Sequence, residues 1–260
     1  MATKKQIIND WQKIFPELKK QGSISLDNRL GPLITGIYIK VVRNTYYTPI
    51  FYVHNLCREY SSITTSLQCG SETMALEKHE ERYIFSAERL KNKLPIPLKG
   101  DVSIDKIIEG YKLYLSNPKR KSFQECKDIA LVCGWYGDKE KLDSILKYIW
   151  DNVQDDKNHP FFRETGVEAW FEEICEESRN YEKLHEICEK EIIKHKVEKL
   201  PYRNIIWRIK KILCCPLREE KSLSQRAFSI YTDIRKLQDK AKTSYTLITE
   251  EVEVLIWVTV

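Results

Sequence analysis

The stretch LITGIYIKVVRNTYYTPIFYVHNL, residues 33–56, decides the fold class of this chain. It holds two runs rich in Ile, Val, Tyr and Thr, at 33–42 and 46–56, and a third run of this kind follows at 61–68. β-branched and aromatic side chains favour strands, and the Gly, Asn, Pro and Ser clusters around the runs favour turns. The pattern predicts a small antiparallel sheet in the N-terminal third.

The residues before this sheet have the spacing of an amphipathic helix. Apolar side chains recur every three or four positions from Ile7 to Leu18, and Gly22 follows as a natural stop. This spacing predicts a helix over 5–20. Three strands with one face under a helix are viable on their own. We therefore expect residues 1–97 to form an N-terminal α+β unit.

Residues 98–243 have helical periodicity almost throughout, which predicts a mainly α-helical region of paired helices. Ser122 with Glu125, and Thr165 with Glu168, have the spacing of capping boxes that open two of these helices. Further helices are predicted at 103–116, 203–215 and 223–242. The predicted fold class is therefore α+β, with a small sheet first and a mainly helical part after it.

The helical region contains a weak internal repeat with an offset of 42 residues. Asp138 and Asn180 occupy equivalent positions, and each is the expected cap of the second helix in a hairpin. Helix hairpins with this period are typical of α-solenoids, which stack to leave a concave binding surface. Two units are too few for an array, so a short solenoid and a compact bundle both stay open.

The C-terminal residues return to β-branched and aromatic side chains, which predicts a strand pair within 244–260. An exposed strand as apolar as VLIWV, residues 254–258, would be prone to aggregate. We therefore expect it to pair with the N-terminal sheet or to be buried against a partner. The predicted units are thus 1–97, 98–243 and 244–260.

The composition excludes several classes of protein. Of the 260 residues, 42% are hydrophobic and 31% are charged, with nine Gly and nine Pro, unlike collagenous, low-complexity or wholly disordered chains. The N-terminus lacks the apolar core of a secretory signal, and no apolar run approaches the roughly 20 residues of a membrane-spanning helix. We therefore expect a cytoplasmic protein without a membrane segment, whose eight cysteines are reduced thiols.

Catalytic and metal-binding patterns are weak in this sequence. His54 and Cys57 could supply an imidazole and a thiol, but on an extended strand they would face opposite sides. The acidic residues around His79 are typical of a solvated helix face. Four further residues could be zinc ligands, but they contain no C-x2-C half-site; they are Cys175, His185, Cys188 and His195. The sequence predicts no catalytic residue, metal or cofactor, and favours a protein that is not an enzyme.

Charge is distributed unevenly along the chain. Residues 101–200 contain 17 Lys and Arg against 22 Asp and Glu, whereas both ends are basic. Such a concentration of negative charge steers basic proteins to the surface that carries it. We therefore expect a non-enzymatic, intracellular protein-interaction module of the immunity, antitoxin or defence-subunit type, with a basic protein as partner. The predicted binding residues are Glu168, Glu172, Glu173, Glu176, Glu177, Glu182 and Glu186.

The basic ends support an alternative hypothesis, a protein that binds or processes nucleic acid. Cations cluster beside Trp207 and could contact phosphates without reading sequence. The candidate residues are Arg208, Lys210, Lys211 and Arg218. Apolar residues at helical spacing in the same segment also fit an ordinary helix with one solvent-exposed, basic face. The alternative hypothesis therefore ranks second.

Overall fold

The computed structural model of the protein describes residues 1–117 and 122–206. The chain divides into two compact units between Arg208 and Ile209, and everything described below belongs to the first. The helices are α1 (Lys4–Ile14), α2 (His79–Lys91), α3 (Ile104–Leu115), α4 (Phe123–Tyr136), α5 (Lys139–Val153), α6 (Val167–Arg179) and α7 (Tyr181–Lys194). The strands are β1 (Lys19–Gln21), β2 (Ser25–Leu30), β3 (Leu33–Val42), β4 (Tyr46–Asn55), β5 (Ser66–Gly70), β6 (Met74–Ala75), β7 (Val102–Ser103), β8 (Tyr202–Arg203) and β9 (Ile205–Ile206). The α+β class predicted from the sequence is confirmed.

The sheet is built around the β3–β4 hairpin. These two strands pair along their whole length, from Leu33 opposite Asn55 to Val42 opposite Tyr46. The antiparallel path runs β1–β2–β3–β4–β5, with β6 added to β4 and β8 added parallel to β2. The strands predicted at 33–42 and 46–56 are thus confirmed to within one residue.

Two of the predicted elements near the sheet differ from the observed ones, and two observed strands were not predicted. The helix predicted over 5–20 ends at Ile14, because a residue before proline avoids the α region and Phe15 precedes Pro16. Residues 19–21 form β1 instead. The strand predicted over 61–68 begins only at Ser66. Strand β2 was not predicted, since its sequence SLDNRL places polar residues at buried positions.

The helices after residue 103 surround α4. This helix lies against α3, α5, α6 and α7, and ten of its fourteen residues are buried. A helix that is apolar on nearly every side is the central helix of a bundle. The predicted repeat is confirmed at its caps, because the carboxylate of Asp138 accepts a hydrogen bond from the N–H of Lys141 and the side chain of Asn180 accepts one from the N–H of Lys183, each at 3.1 Å.

Neither predicted capping box forms. Ser122 precedes α4 but makes no side-chain cap, and Glu125 points inward, where its Oε1 accepts a hydrogen bond from the N–H of Leu67 in β5. Helix α6 begins after Gly166 rather than at Thr165. Tertiary contacts in the first case and a glycine turn in the second replace the local motif.

The largest of three hydrophobic clusters in the described residues crosses the boundary predicted at residue 97. It joins Trp11 of α1, Phe51 of the sheet, Ile104 of α3, Ile129 of α4 and Ile174 of α6. The division of these residues into separate units stays a prediction. Within residues 1–117 and 122–206, no helix has the length and apolar character that crossing a membrane requires.

The chain returns to the N-terminal sheet at residues 202–203 and forms a separate two-stranded sheet at 205–206. Strand β8 pairs with β2 and β9 pairs with β7, so the helix predicted to begin at 203 is wrong at its start. The guanidinium of Arg203 is buried and donates hydrogen bonds to Asn28, Thr35, and the carbonyls of Pro97 and Gly100. The remainder of that helix, the helix predicted at 223–242 and the strand pair predicted within 244–260 lie outside the described residues.

Candidate protein-binding surface

The α6–α7 hairpin presents one face to α4 and the other to solvent. Val167, Trp170, Ile174 and Ser178 form the buried side of α6. Gly134 of α4 lets α6 approach closely, because a Cβ at that position would collide with the carbonyl oxygen of Ser178. The glutamates of α6 are therefore held on the outer side of a rigidly packed helix.

Four of the seven predicted glutamates form ion pairs with three lysines of this chain. Lys127 of α4, whose side chain is only 12% exposed, bridges Glu173 at 2.6 Å and Glu177 at 2.8 Å. Hydrogen bonding to Lys127 lowers the pKa of the Glu173 carboxyl. The other two pairs are exposed and join Glu168 to Lys157 at 2.8 Å and Glu186 to Lys190 at 2.6 Å.

The remaining three glutamates carry uncompensated charge. Glu172, Glu176 and Glu182 are exposed and form no ion pair with any residue in 1–117 or 122–206. Glu172 and Glu176 are four positions apart in α6, so they lie on the same side of the helix, one turn from each other. We call these three residues the open acidic face.

An open groove of 470 Å³ adjoins this face between α5 and α6. Its aromatic wall consists of Trp150 and Phe171, whose ring centroids are 5.0 Å apart with the planes tilted by 42°. Both rings are half-buried. Beside them the groove is lined by Glu172, Cys175, Glu176 and Arg179. The guanidinium of Arg179 contacts Asp143 at 3.2 Å. Sequence spacing placed the two glutamates on one helix but gave no sign of the aromatic wall, because Trp150 comes from the neighbouring helix.

His54 and His79, which the sequence singled out as possible catalytic groups, are both buried and hydrogen-bonded. His54 is fully buried; its Nδ1 accepts a hydrogen bond from the N–H of Thr64, and burial lowers its pKa to about 4. Burial also raises the pKa of the Cys57 thiol well above its ordinary value. A neutral buried imidazole and a protonated buried thiol are the opposite of an activated nucleophile.

His79 lies in a buried hydrogen-bonded chain that ties α1, β4 and α2 together. Trp11 Nε1 donates to the Tyr47 hydroxyl at 3.4 Å, and that hydroxyl is hydrogen-bonded to Nδ1 of His79 at 2.6 Å. The other ring nitrogen, Nε2, donates to Asp10 at 3.1 Å, because a carboxylate can only accept. Burial raises the pKa of Tyr47 to about 12, so its hydroxyl stays protonated. The chain positions three elements against one another.

The four candidate zinc ligands do not come together. Cys175 lines the groove, His185 hydrogen-bonds at 2.9 Å with the carbonyl of Trp135, Cys188 is buried and His195 contacts Glu191 at 3.0 Å. In the part of the chain that the structure describes, no three or more His, Cys, Asp or Glu side chains are placed to hold a metal ion. No disulfide joins any two of the six described cysteines.

Two buried carboxyl groups were not among the predicted residues. Burial raises the pKa of Asp27 in β2 to about 7, and Tyr52 donates a hydrogen bond to its Oδ1 at 2.7 Å. Burial also raises the pKa of Asp128 in α4 to about 6, although Arg58 lies 3.4 Å from it. Because the sequence SLDNRL of β2 has no strand pattern, no local signal pointed to the burial of Asp27.

The alternative nucleic-acid residues, Arg208, Lys210, Lys211 and Arg218, lie outside the described residues. Comparison with protein-family models, curated proteins and solved structures gave no match to this chain.

Proposed function

We propose that this chain is a non-enzymatic protein-interaction module of the cytoplasm, which binds a basic protein through the open acidic face of the α6–α7 hairpin. The observation that carries the proposal is the division of the glutamates into two sets. Lysines of the same chain pair with Glu168, Glu173, Glu177 and Glu186, while Glu172, Glu176 and Glu182 are exposed and have no ion-pair partner within residues 1–117 and 122–206.

Uncompensated charges on a rigid surface support binding in two ways. They attract a partner of opposite sign before contact, which raises the rate of association. They also need no rearrangement of existing ion pairs when the partner arrives, so the attraction is not offset by breaking contacts within the chain. Blocking a cationic enzyme or toxin, as immunity proteins and antitoxins do, is the kind of role we propose for such a surface.

The test compares two variants of equal charge by affinity purification of the full tagged chain. The first is Glu172→Gln/Glu176→Gln/Glu182→Gln. The matched control is Glu77→Gln/Glu140→Gln/Glu198→Gln, three exposed glutamates outside this face. We expect to recover a stoichiometric protein partner whose binding survives nuclease treatment. This partner should bind the unchanged chain and the control, and it should be lost from the first variant.

A partner retained equally by both variants would exclude the open acidic face. Recovery of nucleic acid in place of protein, lost on nuclease treatment, would instead support the alternative predicted from the basic ends. That alternative is then tested by neutralising Arg208, Lys210 and Lys211, which should reduce the salt dependence of binding.

A further inference from the structure

We infer that the groove between α5 and α6 is a socket for an arginine side chain of the basic partner. This inference rests on the proposed function and names the residue type that the site recognises. The socket combines an aromatic wall, Trp150 and Phe171, with two carboxylates that no cation of the described chain neutralises, Glu172 and Glu176.

The aromatic wall attracts a cation through the negative faces of its rings. Trp is the strongest of the aromatic side chains in this interaction, and the attraction grows when the cation is partly removed from water. Trp150 and Phe171 are half-buried and line a groove of 470 Å³, so a side chain placed there is shielded on one side. A cation over these rings would also lie beside the carboxylates of α6.

The two carboxylates add directional acceptors. Glu172 and Glu176 lie one helical turn apart, and a planar guanidinium offers five N–H donors that can reach both while its face rests on a ring. A lysine ammonium is a compact, strongly hydrated charge that cannot stack in this way. The combination of aromatic rings and paired acceptors therefore favours arginine over lysine.

Arg179 also lines the groove, but it pairs with a residue other than the two glutamates of the socket. Arg179 lines one end, but its guanidinium contacts Asp143 on α5. No salt bridge joins it to Glu172 or Glu176 within the described ranges. The charge of the two glutamates is thus available to an incoming side chain.

The experiment titrates the full chain with acetylated hexaarginine amide and hexalysine amide, which have equal length and charge, at one fixed ionic strength. We expect hexaarginine to bind about tenfold more tightly, as a stacked, partly desolvated cation implies. Trp150→Leu and Phe171→Leu should each bring that ratio close to one while binding of hexalysine changes little. Phe85→Leu, an exposed aromatic on α2, is the matched control and should keep the ratio.

Thermal unfolding of each variant shows whether it is folded. If Trp150→Leu is not folded, Phe171→Leu still tests the contribution of the aromatic wall. Equal affinity for the two peptides, or an arginine preference that survives both substitutions, overturns the socket while leaving the open acidic face as proposed. Binding of neither peptide overturns the socket as well. Glu172→Gln/Glu176→Gln should weaken both peptides; if it weakens neither, the proposed function fails with it.

Discussion

At the scale of single residues, the carboxyl of Asp27 is subject to two opposing effects. Ser25 Oγ donates a hydrogen bond to Asp27 Oδ2 at 3.0 Å, and the Tyr52 hydroxyl donates one to Oδ1 at 2.7 Å. Both hydrogen bonds lower the pKa of the carboxyl, but burial raises it by more. The pKa of Asp27 is therefore about 7.

We expect Asp27→Asn to flatten the pH dependence of stability. Because the folded-state pKa of about 7 exceeds the ordinary 3.8, the folded chain holds a proton that the unfolded chain has released, and stability falls as pH rises from about 4 to 7. Asparagine is neutral throughout. Relative to the unchanged chain, the variant should gain up to about 4 kcal/mol between pH 4 and pH 8.

Urea unfolding of both chains at pH 4, 6 and 8 measures this difference. His54, whose lowered pKa makes stability fall as pH drops from 6.5 towards 4, is present in both chains and cancels in the comparison. Parallel pH profiles for the two chains would contradict a raised pKa of the Asp27 carboxyl.

The residue scale also shows why the binding surface was only partly predictable. The concentration of glutamates is visible in the sequence, but Lys127 lies 46 positions from Glu173 and nothing local signals their pairing. Trp150 likewise reaches the groove from a different helix. Which glutamates stay uncompensated depends on how α4, α5 and α6 pack, and this information is absent from any short window of sequence.

At the scale of elements, the contact between α4 and α6 depends on Gly134. Alanine is the better helix former by about 1 kcal/mol, so an exposed Gly→Ala change would stabilise a helix. Here the added methyl would collide with the carbonyl oxygen of Ser178, which belongs to backbone and cannot rotate away. We expect Gly134→Ala to lower the free energy of unfolding by about 1–3 kcal/mol, as overpacking does.

Chemical denaturation tests this prediction, with Ser144→Ala on the exposed side of α5 as a control that should change stability by less than about 0.5 kcal/mol. A Gly134→Ala chain as stable as the original would show that α6 is not fixed against α4. The open acidic face would then rest on a movable helix.

Elements with their own strong pattern were predictable from the sequence, and elements made by long-range contacts were not. Strands β3 and β4 are confirmed because their side chains favour strands and pair locally. Strand β2 was missed because its polar Asp27 and Asn28 find partners only in the folded sheet and in Arg203. Pro16 was the overlooked signal for the end of α1.

At the scale of the whole molecule, the continuous core makes the sheet and the helices interdependent. Ile96, Leu98, Val102 and Ile104 carry that core directly across residue 97. We expect a fragment of residues 1–97 to lack cooperative unfolding, because the apolar side chains that the later helices cover would be exposed.

Thermal unfolding followed by circular dichroism checks this expectation against a chain of residues 1–206. A sharp sigmoidal transition in the short fragment would support the separate N-terminal unit that the sequence predicts. A gradual change with temperature would show that the α+β part folds only together with α3 and α4.

Arg203 is synthesised long after the strands whose polar groups it contacts, and this delay concerns folding during translation. This residue follows Asn28 by 175 positions, yet its guanidinium serves the buried polar groups of the first hairpins. At about 5–20 residues per second, a ribosome reaches it roughly 10–35 s after Asn28. Throughout that interval the nascent sheet has an open edge at β2 where β8 will pair. During translation this edge is the natural contact for a chaperone and the place where two growing chains would associate wrongly.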